Sequence, residues 1–358
     1  MKTKIAFLLT LALMFSLLAG CAGNAVVYYG NCTCPTGSHT ETPDPTQPVG
    51  DPGAVKTGLY ISTSLSGSMN AAEAQNGQAK YDVTLIAVTV DDKGVIDSCI
   101  IDSIPATVYF DSKGTVITEL MTEVLTKNEL GENYGMKHYG GAKYEWNEQA
   151  AALAKYAQGK TVAQLKSSAI NESGMAADAD LASTATIYLG GYVAGIEAAV
   201  ANAQHLGAQK GDELRLACIS STASSKSADA ENAGTAQLDS DITALTLNGS
   251  TITSCVIDSI QAKVSFDAAG TISTDLTAAV LTKNQLGENY GMKNWGGAKY
   301  EWNEQAASFA SYVTGKTAAE VAGIAVNEKT APTDADLAST VTIAIGGFQA
   351  LIAKAVKG

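Results

Sequence analysis

The chain reads as an α+β protein of two tandem homologous domains, each a small antiparallel sheet packed with helices. Three observations predict this: a long segment that recurs, short alternating apolar runs separated by turn residues inside each copy, and amphipathic stretches with capping signals that follow them. Thr126–Lys137 (TKNELGENYGMK) returns as Thr282–Lys293 (TKNQLGENYGMK), 156 residues on. Lys143–Ala150 (KYEWNEQA), Asp178–Thr184 (DADLAST) and Ile101–Ile104 (IDSI) return at the same offset as Lys299–Ala306, Asp334–Thr340 and Ile257–Ile260. So long a period marks whole domains rather than solenoid units. It predicts repeat domains at 57–203 and 212–357 joined by a linker at 204–211, and 358 residues are enough for two separate hydrophobic cores.

In chain order, the first segment is a leader. Lys2 and Lys4 precede an apolar run from Ile5 to Leu18 and then Leu18-Ala19-Gly20-Cys21. This resembles a bacterial lipoprotein signal over 1–20, with Cys21 as the lipidated mature N-terminus. The apolar run is short for a spanning helix, so the resemblance implies an acyl anchor holding the protein to the cell membrane on its extracytoplasmic face. Residues 21–56 carry Pro35, Pro43, Pro45, Pro48 and Pro52 among Thr, Ser, Gly and Asp. Such a composition buries too little apolar surface to fold and predicts a disordered tether.

Within the first copy, Tyr81–Val90 and Val95–Ile104 alternate apolar and polar residues around Asp91-Asp92-Lys93-Gly94, which predicts a hairpin. Thr107–Phe110 and Thr115–Thr118, flanking Asp111-Ser112-Lys113-Gly114, suggest two further strands. Thr126 with Glu129, Thr161 with Gln164 and Thr317 with Glu320 have capping-box spacing. Trp146, Ala150, Leu153 and Ala157 share one face of a helix that ends at Gly159; the second copy repeats this with Trp302, Ala306, Phe309, Val313 and Gly315. The last segments, Thr186–Ala203 and Thr342–Val356, begin strand-like, pass a Gly-Gly pair and end as helices.

Charge and composition exclude several functions. Lys+Arg 23 against Asp+Glu 36 gives a net charge of −13, a surface that repels phosphate backbones, so nucleic acid is not an expected partner. Of the three histidines, His39 lies in the tether, His205 in the linker, and His138 is Asn294 in the second copy. No shared histidine chemistry follows, no nucleophile–base pair is visible, and no metal site is expected. Five cysteines follow Cys21, an odd number that cannot all pair within one chain. Cys32-Thr33-Cys34 sits in the tether without a second ligand pair, and Cys99 and Cys255 fall in strand-like runs as small buried hydrophobes. Glu145 and Glu148, with Glu301 and Glu304, read as the solvated helix face opposite Trp146 and Trp302.

Two constellations are candidates for function. Tyr134, Tyr139, Tyr144 and Trp146, and again Tyr290, Trp295, Tyr300 and Trp302, crowd a stretch interrupted by Gly135, Gly140-Gly141, Gly291 and Gly296-Gly297. Either these rings cap the sheet as core, or some, Tyr139 and Trp295 among them, lie on a loop and stack on a planar ligand or sugar. The second is Asp180-Leu181-Ala182-Ser183-Thr184-Ala185-Thr186 with its partner Asp336-Leu337-Ala338-Ser339-Thr340-Val341-Thr342. On the residues alone it also reads as a polar corner ahead of a buried strand.

That second segment resembles the Asp-x-x-Ser-Gly-Ala-Thr signature of the FMN-binding domain family of bacterial surface lipoproteins and ion-pumping reductase subunits, with Thr184 and Thr340 at the glycine position. The order Gly-x-Tyr, Val-Thr-rich hairpin, signature, C-terminal helix is similar as well. The resemblance implies FMN esterified through its phosphate to Thr186 and Thr342 by a separate flavin transferase, with Asp180, Ser183, Asp336 and Ser339 flanking. It further implies extracytoplasmic electron transfer to redox partners. The alternative function is a non-catalytic surface lipoprotein that binds a ligand or cell-wall glycan.

Overall fold

The computed structural model describes residues 53–120 and 123–358. The leader, Cys21 and the tether up to residue 52, with Cys32 and Cys34, lie outside the described residues. Each repeat is a three-stranded antiparallel sheet followed by helices. In the first, β1 (Lys56–Ser64), β2 (Gly77–Val90) and β3 (Ile96–Phe110) lie in the order β1-β2-β3; in the second, β4 (Glu213–Ser221), β5 (Gly234–Asn248) and β6 (Thr251–Phe266) follow the same plan. The β2–β3 hairpin forms as the alternation predicts, with Val90 opposite Ile96 and Gly77 opposite Phe110. Asp91 closes its turn by accepting the Lys93 and Val95 amides, and Gly94 supplies a φ of 77°.

Several strand expectations are corrected. Thr107–Phe110 is not a separate strand but the end of β3, reached through Pro105; an edge strand tolerates a proline because its outward position needs no amide donor. Thr115–Thr118 contributes a single bridge, Phe110 to Val116. Strands β1 and β4 are additions that the apolar pattern alone did not reveal.

After the sheet come α1 (Lys127–Leu130), α2 (Trp146–Ala157), α3 (Val162–Ser168), α4 (Ala179–Thr184) and α5 (Gly190–Ala201). Their counterparts are α6 (Lys283–Leu286), α7 (Trp302–Val313), α8 (Ala318–Ala322), α9 (Ala335–Ala338) and α10 (Gly346–Lys357). The capping boxes at Thr126, Thr161 and Thr317 are all formed. Asp-x-x-Ser-Thr is not a corner before a strand: Asp178 and Asp334 N-cap the short helices α4 and α9, and the residues from Thr186 to Leu189 form no strand. Among the described residues no helix is long and apolar enough to cross a membrane.

The burial pattern of β2 shows how the layers stack. From Gly77 to Thr84 buried and half-buried residues alternate, whereas Leu85 to Val90 are buried without interruption. The alternating half has one wet face; the continuous half is covered on both. Ile86, Val88, Ile96, Cys99 and Ile101 face α2 and α5, and the equivalent side of the second sheet faces α7 and α10. The other face, with Tyr81, Val83, Leu85 and Phe110, packs directly on Leu238, Ile242, Val264 and Phe266 of the second sheet.

This overturns the expectation of two separate cores. The repeats build one core between their sheets and one further core each beneath their helices, within a single compact unit. The contacts between them are reciprocal. The Ala71 amide donates to Gly270 O at 2.9 Å and the Ala228 amide to Gly114 O at 2.8 Å. Ile272 N–H reaches Asn70 Oδ1 and Val116 N–H reaches Ser227 Oγ, each at 2.9 Å. A contact made twice with the partners exchanged is the mark of twofold association, here between two halves of one chain.

Candidate functional site

The aromatic stretch divides into rings with different roles. Trp146 and Trp302 are core, each opening its helix and packing under the sheet. Lys127 lies with Nζ 4.9 Å from the Tyr134 ring centre and 4.8 Å from that of Trp146; Lys283 sits likewise at 5.2 Å from Tyr290 and 4.8 Å from Trp302. Burial pulls the Lys127 ammonium below its ordinary pKa, and the two ring faces offset part of that cost. Tyr144 and Tyr300 are half-buried under Lys143 and Lys299.

Tyr139 and Trp295 differ from all of these. They are 85% and 90% exposed at equivalent positions of the two repeats. Each caps a tight turn whose geometry is fixed from below. The Tyr139 amide donates to Gly135 O at 2.8 Å, and the Trp295 amide to Gly291 O at 2.9 Å. One edge of each ring lies over that glycine: a Cβ on Gly135 would come within 2.5 Å of Tyr139 Cδ2, and one on Gly291 within 2.4 Å of Trp295 Cδ1. Both glycines also hold φ near 80–85°, so an L side chain is excluded twice over.

The turn is held by a buried carboxylate. Glu145 is not on a solvated face: it accepts the Met136 amide at 2.8 Å and the Lys137 amide at 2.9 Å, and Glu301 does the same for Met292 and Lys293. Glu148 and Glu304 remain exposed, closing back on the Glu145 and Glu301 amides and pairing with Lys137 and Lys293. The outward rings therefore stand on turns organised before any ligand arrives.

The segments Asp180–Thr186 and Asp336–Thr342 lie beside the same helix starts. Gln149, fully buried in the apolar face of α2, donates from Nε2 to Tyr144 O at 3.0 Å. Its Oε1 accepts the Thr186 amide at 2.7 Å, the Ile187 amide at 3.1 Å and the Thr186 hydroxyl at 3.2 Å. Gln305 does the same for Tyr300, Thr342 and Ile343. One amide side chain thus ties the aromatic loop to the signature in each repeat. Sequence reasoning missed it, although an uncharged polar residue on a buried helix face in both copies was a signal.

The remaining signature residues are occupied locally. Ser183 and Ser339 hydroxyls donate to the carbonyls of Asp180 and Asp336 at 2.7 Å, and both aspartates are exposed in the first turns of α4 and α9. Thr186 and Thr342 are exposed. Two backbone amides already fill the two lone pairs of the glutamine Oε1, so esterifying the threonine hydroxyl removes a third, surplus donor and leaves the segment held. The two threonines therefore fit a phosphoester link.

The chain matches no protein-family model, no curated protein and no solved structure. What the arrangement can do is read from its chemistry. Among the described residues no group of three or more His, Cys, Asp or Glu is placed to hold a metal ion. Cys99, Cys218 and Cys255 are free and buried, their thiols pushed up to about 12 by burial, which removes thiolate chemistry at neutral pH. Asp102 and Asp258 are equivalent buried carboxyls, pushed up to about 6 by burial despite accepting amides of Ser103 and Asn128, or of Ser259 and Asn284. A cavity of about 930 Å³ runs between the repeats and reaches Asp258, but Thr186, Thr342, Tyr139 and Trp295 do not line it.

Proposed function

We propose that this protein is a non-catalytic, extracytoplasmic binding protein, lipid-anchored through Cys21, that grips a glycan of the cell envelope with Tyr139 and Trp295. The observation that carries the reading is the pair of almost fully exposed rings at equivalent positions, each seated on a preorganised glycine turn. An exposed flat ring on a preorganised turn offers an apolar face, and a sugar's apolar face is a natural cover for it. Because the repeats share a core, the two rings keep a fixed separation, which suits a repeating polymer better than a single small molecule.

The test uses the full chain and insoluble cell-wall glycan. Each of Tyr139→Ala and Trp295→Ala is expected to weaken retention several-fold, a stacked ring contributing about 1 kcal/mol, and the double variant to abolish it. Retention of the double variant at the wild-type level contradicts the reading.

A second reading rests on the exposed hydroxyls of Thr186 and Thr342. As flavin attachment sites they would hold FMN by its phosphate, and the bound flavin would supply one- and two-electron transfer to redox partners. Gln149 and Gln305 would keep the attachment segment in place through its backbone amides. Native-source protein would then be yellow and carry a mass gain that Thr186→Ala with Thr342→Ala removes. A colourless protein of unmodified mass rejects this second reading and leaves the first intact.

A further inference from the structure

The two halves are related by an internal twofold, so every groove between them has a sister. In one, Lys354 of α10 reaches the α1 segment and pairs with Glu129 and with Glu123, the latter at 3.4 Å. In the other, the residues at those three positions are Ala198, Gln285 and Ala279. The long cation and both carboxylates are gone there, and Gln285 lines a cavity of about 930 Å³, a size that suits a small organic ligand.

The lining of that cavity has a definite chemical character. It contains no Lys or Arg, and its only histidine, His205, is paired with Asp92. Its apolar lining includes Leu59 and Ile61 of β1 and Val256 and Ile257 of β6. Around it stand five carboxamides, Asn202, Gln204, Asn284, Gln285 and Asn303. Asn303 Oδ1 is buried without a partner, as is that of its counterpart Asn147. The one carboxylate in the lining, Asp258, already accepts two backbone amides. Carboxamides donate and accept at once, matching hydroxyl and amide groups rather than ions.

We propose that this inter-repeat cavity is a binding site for an uncharged organic ligand that presents an apolar body and amide or hydroxyl groups. Duplication gave two equivalent grooves; one is occupied by the protein's own lysine, and the other has been cleared of both the lysine and its counter-charges. The site is separate from the exposed rings and does not depend on glycan binding there.

Ligand-observed NMR on the full chain tests this with three probes: N,N′-diacetylchitobiose, an acetylated and amidated alanine dipeptide, and AMP as an anionic control. Binding of at least one neutral probe at one site is expected, with AMP excluded; the neutral probe that binds distinguishes a saccharide from a peptide source. Ala198→Lys with Gln285→Glu restores the sister groove's cation and carboxylate, the latter in the cavity lining, and is expected to reduce binding at least tenfold. Tyr139→Ala with Trp295→Ala is expected to leave it unchanged. The reverse exchange, Lys354→Ala with Glu129→Gln and Glu123→Ala, is expected to create a second site. No binding of either neutral probe, preference for AMP, or undiminished binding in a natively folded Ala198→Lys/Gln285→Glu variant overturns the proposal.

Discussion

Phe110 and Phe266 stack face to face where the two repeats meet, ring centres 4.0 Å apart and planes within 3° of parallel. Each is the last residue of its third strand and each is fully buried, so the pair lies on the internal twofold and belongs equally to both halves. On its own side each ring lies over a glycine that opens the second strand, Gly77 under Phe110 and Gly234 under Phe266. The stack sits in the core that the two halves share, and the following expectations start from it.

Phe110→Ala opens a cavity in the shared core and leaves Phe266 without its partner. A loss of about 3–5 kcal/mol is expected in denaturant unfolding. Fluorescence of Trp302, in the other repeat, should report the same destabilisation as Trp146, because the damage is not confined to the half that carries it.

Residues 53–203 expressed alone should not behave as a free-standing monomer. Tyr81, Val83, Leu85 and Phe110 would face water in one contiguous apolar patch. The isolated repeat is expected to form a homodimer or aggregate, measured as mass by light scattering. A stable, soluble monomer with native-like chemical shifts speaks against the shared core.

Gln149→Ala removes the acceptor of the Thr186 and Ile187 amides and the donor to Tyr144 O. A cost of about 2 kcal/mol is expected, with faster amide exchange at Thr186 and Ile187. Gln305→Ala should do the same at Thr342 and Ile343. Protection that does not change in either variant shows that the glutamine is not what holds the segment.

Asp102 and Asp258 give a pH dependence with a definite sign. Their folded pKa of about 6 lies above the ordinary 3.8, so the folded state holds protons that the unfolded chain has released. The stability tied to them is complete below pH 3.8 and is lost as pH rises through about 6. Asn at both positions is neutral throughout. The double variant should therefore gain on the wild type between pH 4 and 7, by up to about 3 kcal/mol per site. A stability difference that stays flat with pH contradicts the raised carboxyls.

Much of the fold was legible because it is locally encoded. The Asp91–Gly94 turn, the threonine capping boxes and the Trp146 helix face are each determined within a few residues. What stayed hidden depends on contacts distant in sequence. The unbroken apolar run from Leu85 to Val88 marks a strand covered on both sides, but it does not say that the second cover is another copy of the same sheet. Glu145 looked solvent-facing by helical spacing, yet its carboxylate turns back onto the loop before it, an interaction that periodicity cannot express. The candidate site was half visible: the glycines flagged a loop, but only the folded backbone separates Tyr139 and Trp295 from the rings that are core.

Scanning calorimetry of the full chain tests the central claim, one folded body made of two fused repeats, most directly. A single transition whose calorimetric and van't Hoff enthalpies agree is expected. Two resolved transitions, or a van't Hoff enthalpy near half the calorimetric value, would show halves that unfold independently and would contradict the account.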